Sequence, residues 1–257
     1  KNNALGYTAL YNNTTGYQNE AIGRDSLRSN TTGHNNVSIG FSALYSNTTG
    51  TYNIAIGPNA LDANTTASQN IAVGYNALTA STGADNVGVG YHALLANTTG
   101  VGNVCLGNSS GHAVTTGSNN VCVGRGAGLL VTTGSENTLI GRSAGENGGP
   151  TTGTRNTLIG KDARCSSGSV SNELVVSAGS TQIGKGSSTA FISAQGGPAY
   201  QGNNSSSWST TSDRRLKKNI VDNTTGLAAI NDIRVRNFEY RLPEEITELS
   251  ATDAIDR

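Results

Sequence analysis

The sequence predicts an all-β protein, a parallel β-solenoid or β-roll of ten repeats, and three observations carry that prediction. The first is a period. Asn, three mostly small or aliphatic residues and Gly recur ten times, with glycines at Gly6, Gly23, Gly40, Gly57, Gly74, Gly90, Gly107, Gly124, Gly141 and Gly160, almost always 17 residues apart. The paired asparagines are Asn2, Asn19, Asn36, Asn53, Asn70, Asn86, Asn103, Asn120, Asn137 and Asn156. The second is a weaker beat between them, Asn-Thr-Thr-Gly or a relic of it, at Gly16, Gly33, Gly50, Gly83, Gly100, Gly117, Gly134 and Gly153. The third is composition: 34 glycines, 13% charged and 5% aromatic residues do not describe an ordinary globule. Disorder needs high net charge, and a Gly/Ser linker would not hold phase through ten copies. A fixed short period marks stacked repeats.

Within one copy, Asn53-Ile54-Ala55-Ile56-Gly57 alternates aliphatic and small residues, the period of a short strand. Val37/Ile39, Ile71/Val73, Val87/Val89, Val104/Leu106 and Val121/Val123 repeat it, while Ser38, Ala55, Ala72, Gly88, Cys105 and Cys122 occupy the other face. A second short segment follows, such as Pro58-Asn59-Ala60-Leu61, and Asn-Thr-Thr-Gly then reverses the chain, its Gly supplying positive φ. Two strands and two turns make one coil. Coils stacked about 4.8 Å apart make ten copies a rod of roughly 48 Å, and equivalent asparagines are expected to form a ladder along one edge. So thin a coil holds only two or three aliphatic side chains, too few to offset the ordering entropy of its backbone. The small-residue face is therefore expected to bury against another copy of the chain, a homo-oligomer with Ala, Gly, Ser and Cys turned toward a common axis.

Other features define what the chain does not offer. Zero net charge gives no electrostatic ground for a nucleic-acid partner. No run nears the roughly 20 apolar residues of a membrane span, so no membrane insertion is expected. The chain starts at Lys1, has no Met and shows no signal peptide, which reads as a piece of something longer. Cys105 and Cys122 fall at the same position of successive repeats; they read as small buried hydrophobes, with an inter-rung or inter-chain disulfide as the alternative. Asn13, Asn30, Asn47, Asn64 and Asn97 are formal glycosylation acceptors that read as turn residues. His34, His92 and His112 share no repeat position and have no Cys or carboxylate at ligand spacing, so neither a metal nor a cofactor is expected. The carboxylates Asp25, Asp62, Asp85 and Glu136 are scattered and make no recurring pair for glycan hydrolysis.

Composition also divides the chain: 1–164 is the repeat shaft, 165–211 an irregular β tip and linker, and 212–257 a separate segment. After Cys165 phase is lost; 173–176, 181–184 and 190–193 read as short strands, and Gln195 to Thr211, around the sole Trp208, as a loose connector. Residues 212–257 hold eight of the 17 basic and nine of the 17 acidic residues. They open with Ser212-Asp213-Arg214-Arg215-Leu216-Lys217-Lys218-Asn219-Ile220. That run reads either as a solvated charged face or as chemistry. In the second reading Ser212 is a nucleophile and Lys217 its base, kept neutral by burial or by repulsion from Arg214, Arg215 and Lys218.

Two resemblances follow from these residues. The Asn, Ile/Val-Ala-Ile/Val-Gly, Ala-Leu pattern over about 1–164 resembles the heads of YadA-type trimeric autotransporter adhesins, parallel β-rolls of three chains, and implies a homotrimer. The run at 212–220, with Asn223 to Ile230 as a helix and Ile233 to Leu242 as a strand, resembles the self-cleaving intramolecular chaperone domain of phage tail fibres and tailspikes. That likeness implies a small α+β segment that trimerises the fibre and then cuts itself off between Thr211 and Ser212, with Ser212 as nucleophile and Lys217 as base. It implies one self-cleavage rather than a turnover enzyme. It also implies a virion-borne tail fibre or spike whose partners are its own copies, other tail proteins and a host surface receptor, a glycan. A bacterial trimeric surface adhesin is the alternative function.

Overall fold

The computed structural model describes residues 1–178, 182–194, 197–201 and 208–210. The chain divides into two units, Lys1–Thr211 and Ser212–Arg257. The first is the β-solenoid described here. The C-terminal segment, with the helix and strand expected in it, lies outside the described residues.

Each of the ten repeats supplies one three-residue strand: β1 (Asn3–Leu5), β2 (Glu20–Ile22), β3 (Val37–Ile39), β4 (Ile54–Ile56), β5 (Ile71–Val73), β6 (Val87–Val89), β7 (Val104–Leu106), β8 (Val121–Val123), β9 (Thr138–Ile140) and β10 (Thr157–Ile159). Four more follow, β11 (Leu174–Ser177), β12 (Ala190–Ala194), β13 (Gly197–Gln201) and β14 (Trp208–Thr210). All fourteen lie in one sheet in chain order. Pairing is parallel from β1 to β12, in strict repeat register: Ile54 lies beside Ile71, Ala55 beside Ala72, Ile56 beside Val73. The pairs β12–β13 and β13–β14 are antiparallel. The stretch read as a loose connector thus carries two strands, whose Gly, Asn and Ser content hid any alternation.

The asparagine ladder is present, and its bonding is specific. In every repeat the backbone N–H of one Asn donates to the Oδ1 of the Asn one rung below, as from Asn53 to Asn36 (3.0 Å) and from Asn120 to Asn103 (3.0 Å). The side-chain Nδ2 donates to the carbonyl of the second-beat glycine, as from Asn36 to Gly50 (2.9 Å) and from Asn103 to Gly117 (2.8 Å). Each of these amides therefore ties its strand to a neighbouring coil and nearly every buried polar atom of the ladder is paired, Asn70 Nδ2 being the exception. Glu173 ends the ladder: its N–H donates to Asn156 Oδ1, and its carboxylate accepts from the backbone N–H of Ser166 and Gly186.

A second ladder runs through the turn asparagines, where Asn30, Asn47 and Asn64 donate in turn to Asn13, Asn30 and Asn47 at 2.7–3.0 Å. It breaks at Ser81 and stops at Val114, which leaves the buried Oδ1 atoms of Asn64 and Asn97 without a donor. In four of these turns the first Thr (Thr14, Thr31, Thr48 and Thr98) donates its hydroxyl to the Thr carbonyl of the next rung, as Thr31 does to Thr48 (3.1 Å). These turns are rungs in their own right.

Besides the turn glycines such as Gly33 and Gly50, which lack the positive φ expected of them and are glycine because the next coil leaves no room for a Cβ, two expectations about the coil are overturned. The segment after each repeat glycine is a turn and not a second strand. Its backbone alternates sign, with Asn59 at φ +56° and Leu61 at φ +53°. The N–H of Asn59 donates to Phe41 O and that of Leu61 to Ala77 O, so stacked neighbours on both sides hold the unusual conformation. A left-handed Leu costs about 1–2 kcal/mol, and the repeated hydrogen bonds outweigh it.

The second correction concerns which strand face is inside. Ala21, Ser38, Ala55, Ala72, Cys105 and Cys122 are fully buried within the single chain, whereas the flanking aliphatics point outward and stay half-buried or exposed. The small residues do not await a partner, because the turn leucines Leu27, Leu44, Leu61, Leu78 and Leu94 enter from across the coil and fill the core. A Cβ on Gly88 would lie 3.2 Å from Leu78 Cγ, which shows how little room that strand position has. Further along, the volumes trade places. Where the strand carries Cys105, Cys122 or Leu139, the turn carries Gly111, Gly128 or Gly145 instead of Leu. A Cβ on Gly111 would sit 2.4 Å from Cys105 Sγ. The coils also approach closely: a Cβ on Gly57 would lie 2.5 Å from Gly74 O, so the repeat glycine is obligatory.

Candidate functional site

Inverting the strand faces leaves the solenoid with an outward apolar stripe, two aliphatic side chains on each rung from β3 to β8 and one on β1, β2, β9 and β10, where Asn3, Glu20, Thr138 and Thr157 take the other place. Leu5 is 70% exposed at the first rung, and Ile56, Leu106, Ile140, Ile159 and Ile192 are 37–41% exposed farther along. Aromatic side chains stand exposed beside it on the first six rungs, among them Tyr7, Tyr17, Phe41, Tyr52, Tyr75 and Tyr91. Several stack across rungs: Tyr17 on His34 with centroids 4.6 Å apart, and Tyr75 on Tyr91 at 5.4 Å. A contiguous apolar face of this length is a marker of association. It is the aliphatic pattern, rather than the small-residue pattern, that faces outward.

The position just after each repeat glycine changes character along the column. It is Tyr7, Arg24, Phe41, Pro58, Tyr75 and Tyr91 in the first six rungs, Asn108 in the seventh, then Arg125, Arg142 and Lys161. Backbone pairing puts the last three on successive rungs, for Ser143 N donates to Arg125 O (2.8 Å) and Asp162 N to Arg142 O (3.0 Å). Lys161 pairs with Asp162 at 3.5 Å, while among the described residues Arg125 and Arg142 have no ion pair. Beside Arg125 opens a notch of about 140 Å³, lined by Asn108, Ser109, Leu129, Ser143 and Glu146 and floored by Gly126.

The ionisable groups elsewhere are tied into the scaffold. Asp25 is held below the usual carboxylate range by the hydroxyl of Thr8 and then by Arg24 and Arg28. His112, tilted 6.0 Å from His92, is pushed down by burial and by the neighbouring imidazole. The Cys122 thiol is pushed well up by its hydrogen bond with Cys105 and by burial, and Cys165 is raised chiefly by burial. All three cysteines are free thiols, the first two stacked as neighbours in β7 and β8, in keeping with small buried hydrophobes. Among the described residues no group of three or more His, Cys, Asp or Glu side chains gathers at metal-binding distance.

Ser212 and Lys217, the candidate nucleophile and base, lie outside the described residues. The outward stripe, the second asparagine ladder and the notch were not anticipated from sequence. The pattern of outward aliphatics was visible there, but was assigned to the interior.

The chain matches no curated protein and no solved structure. The likeness of its repeats to YadA-type heads therefore carries no further argument. Residues 212–255 match the family model described as chaperone of endosialidase. A β-solenoid followed by such a segment suits a tail-fibre-like protein with a C-terminal chaperone.

Proposed function

We propose that this chain is the shaft of a homotrimeric phage tail fibre or spike, displayed on the virion to contact a glycan on the host surface. One observation carries the reading: an outward aliphatic stripe repeats in register along the rungs, with two aliphatic side chains on each from β3 to β8 and one on β1, β2, β9 and β10. A partner that covers such a face must itself repeat with the rung spacing, and another copy of the chain is the simplest one. Three copies around a common axis would bury the stripes together.

Repetition creates a problem that the C-terminal match answers. Slipping one chain by a whole repeat exchanges Ile54 for Ile71 and Ala55 for Ala72, so the wrong register costs almost nothing locally. A chaperone segment at 212–257 would align three chains before the shafts zip. Its removal would then leave a fibre that cannot retrace its assembly, a kinetic form of stability.

The cut is assigned between Thr211 and Ser212. Lys217 takes the Ser212 hydroxyl proton as Oγ attacks the Thr211 carbonyl carbon. The amide C–N bond breaks, an ester forms in its place, and the proton passes to the departing amine. Water then hydrolyses the ester, leaving a carboxylate on Thr211 and restoring the hydroxyl. The Ser212→Ala protein should run as one full-length band on a denaturing gel, and cleavage persisting in it removes the mechanism. Sedimentation of the shaft should give a trimer; a monomer with the stripe in water refutes the fibre reading.

A further inference from the structure

The notch between rungs seven and nine, together with the basic column beside it, is built unlike the rest of the shaft. We propose that it is a binding subsite for an acidic sugar unit, a pyranose ring carrying a carboxylate or phosphate. The inference rests on the host-contacting reading only for its choice of a surface glycan as the ligand.

Three features point to a ligand. The cavity exists because a side chain is missing. At the second position after the repeat glycine the shaft carries Thr8, Asp25, Ser42, Asn59, Asn76, His92 and Ser109, and then Gly126. Gly126 keeps the positive φ of the others, +66° against +56° at Asn59 and +53° at Asn76, so the backbone did not require glycine there. A Cβ at this point would meet only ordinary contacts, 3.4 Å from Glu146 Oε2 and 3.8 Å from Ser143 Oγ. Glycine here makes space.

The space also suits one ring. About 140 Å³ is well below the ~300–1,000 Å³ of pockets that enclose drug-sized ligands. Its lining offers a sugar what sugars need: the half-buried Leu129 for the apolar face of the ring, and the Asn108 amide, Ser143 hydroxyl and Glu146 carboxylate for its hydroxyls.

Finally, the cations are otherwise unexplained. Arg125, Arg142 and Lys161 stand on neighbouring rungs, an arrangement of like charges that disfavours a sheet. Among the described residues only Lys161 of the three has an ion-pair partner, and Glu146 does not pair with either arginine. An anionic substituent on the bound sugar would supply the missing countercharge, with the planar guanidinium donors matched to a carboxylate or phosphate.

The test measures binding of the intact fibre to three immobilised polymers: oligogalacturonate, dextran phosphate and unmodified dextran. At least one acidic polymer should bind about tenfold or more tightly than dextran, and the preferred one tells carboxylate from phosphate. Gly126→Asn, which refills the notch with the residue used at Asn59 and Asn76, should weaken that binding about tenfold without moving the melting midpoint. Arg142→Gln, on an exposed side chain that the fold does not need, should do the same, while Arg24→Gln should leave binding unchanged. Failure of both acidic polymers to bind, equal binding to dextran, or full binding by Gly126→Asn and Arg142→Gln overturns the site. Sedimentation of the same samples separates this failure from failure of the fibre reading, because a monomer refutes the fibre while a trimer that binds no sugar refutes only the subsite.

Discussion

If strand and turn side chains share one fixed volume in each coil, Leu139 and Gly145 must be energetically coupled. Adding a methyl at Gly145 would place it 2.4 Å from Leu139 Cδ2, more than about 1 Å inside the 3.5–4.0 Å of normal carbon contact. Overpacking of this kind costs about 1–3 kcal/mol. The left-handed backbone at Gly145, φ +72°, adds roughly 1 kcal/mol for alanine, which lacks the polar side chain that lets Asn and Asp adopt this region. Gly145→Ala should therefore destabilise the shaft by about 2–4 kcal/mol, and Leu139→Ala, which empties a fully buried site, by about 2–5 kcal/mol. In the double variant the clash is gone, so the alanine at 145 costs only its backbone part. The four proteins, unfolded in urea at one protein concentration because the midpoint of any oligomer depends on it, should show a coupling of about 1–3 kcal/mol that favours the pair. Additivity within about 0.5 kcal/mol would refute the shared-volume argument.

The asparagine ladder makes a sharper local prediction. Asn103→Leu removes the acceptor for the N–H and Nδ2 of Asn120, and the donors to Asn86 Oδ1 and Gly117 O. Each buried group left unpaired costs about 1–3 kcal/mol, so the loss should exceed roughly 3 kcal/mol, with hydrogen exchange at the Asn120 amide accelerated more than at Asn53. Acid should also weaken the shaft through His112. Its folded-state affinity for a proton is depressed by burial and by His92, so its contribution is complete above the unfolded value of 6.5 and is lost as pH falls through the lower, folded one. Melting midpoints measured from pH 8 downward should fall below about pH 6.5, and His112→Gln should flatten that slope; an unchanged slope would assign the acid sensitivity elsewhere.

Much of this architecture was legible as arithmetic. The interval between Asn53 and Asn70 sets which residues become vertical neighbours, and the pairing of Ile54 with Ile71 follows from it. A buried amide repeated at that interval finds partners only in its own copies, so the ladder follows from the period as well. The number of rungs and their parallel register belong to the same class. So do the charged boundary at Ser212 and the motif beyond it, because both are local in sequence.

The direction of the strand faces was not legible. Alternation at Ile54, Ala55 and Ile56 states that two faces differ, but hydrophobicity alone assigns the larger residues to the interior. The coil reverses that assignment because Leu61 reaches in from the turn that follows the strand and packs in the core with Ala55, leaving room opposite it for no more than a small side chain. Left-handed backbone at Leu61 likewise has no sequence signal, since the conformation is imposed by hydrogen bonds to rungs that are remote until the stack exists. Gly126 shows the same limit: as a letter it is one glycine among many, and only its neighbours Ser143 and Glu146, brought beside it by stacking, turn it into a cavity. Periodicity determined which residues lie above one another; the width of the coil decided which of them face water.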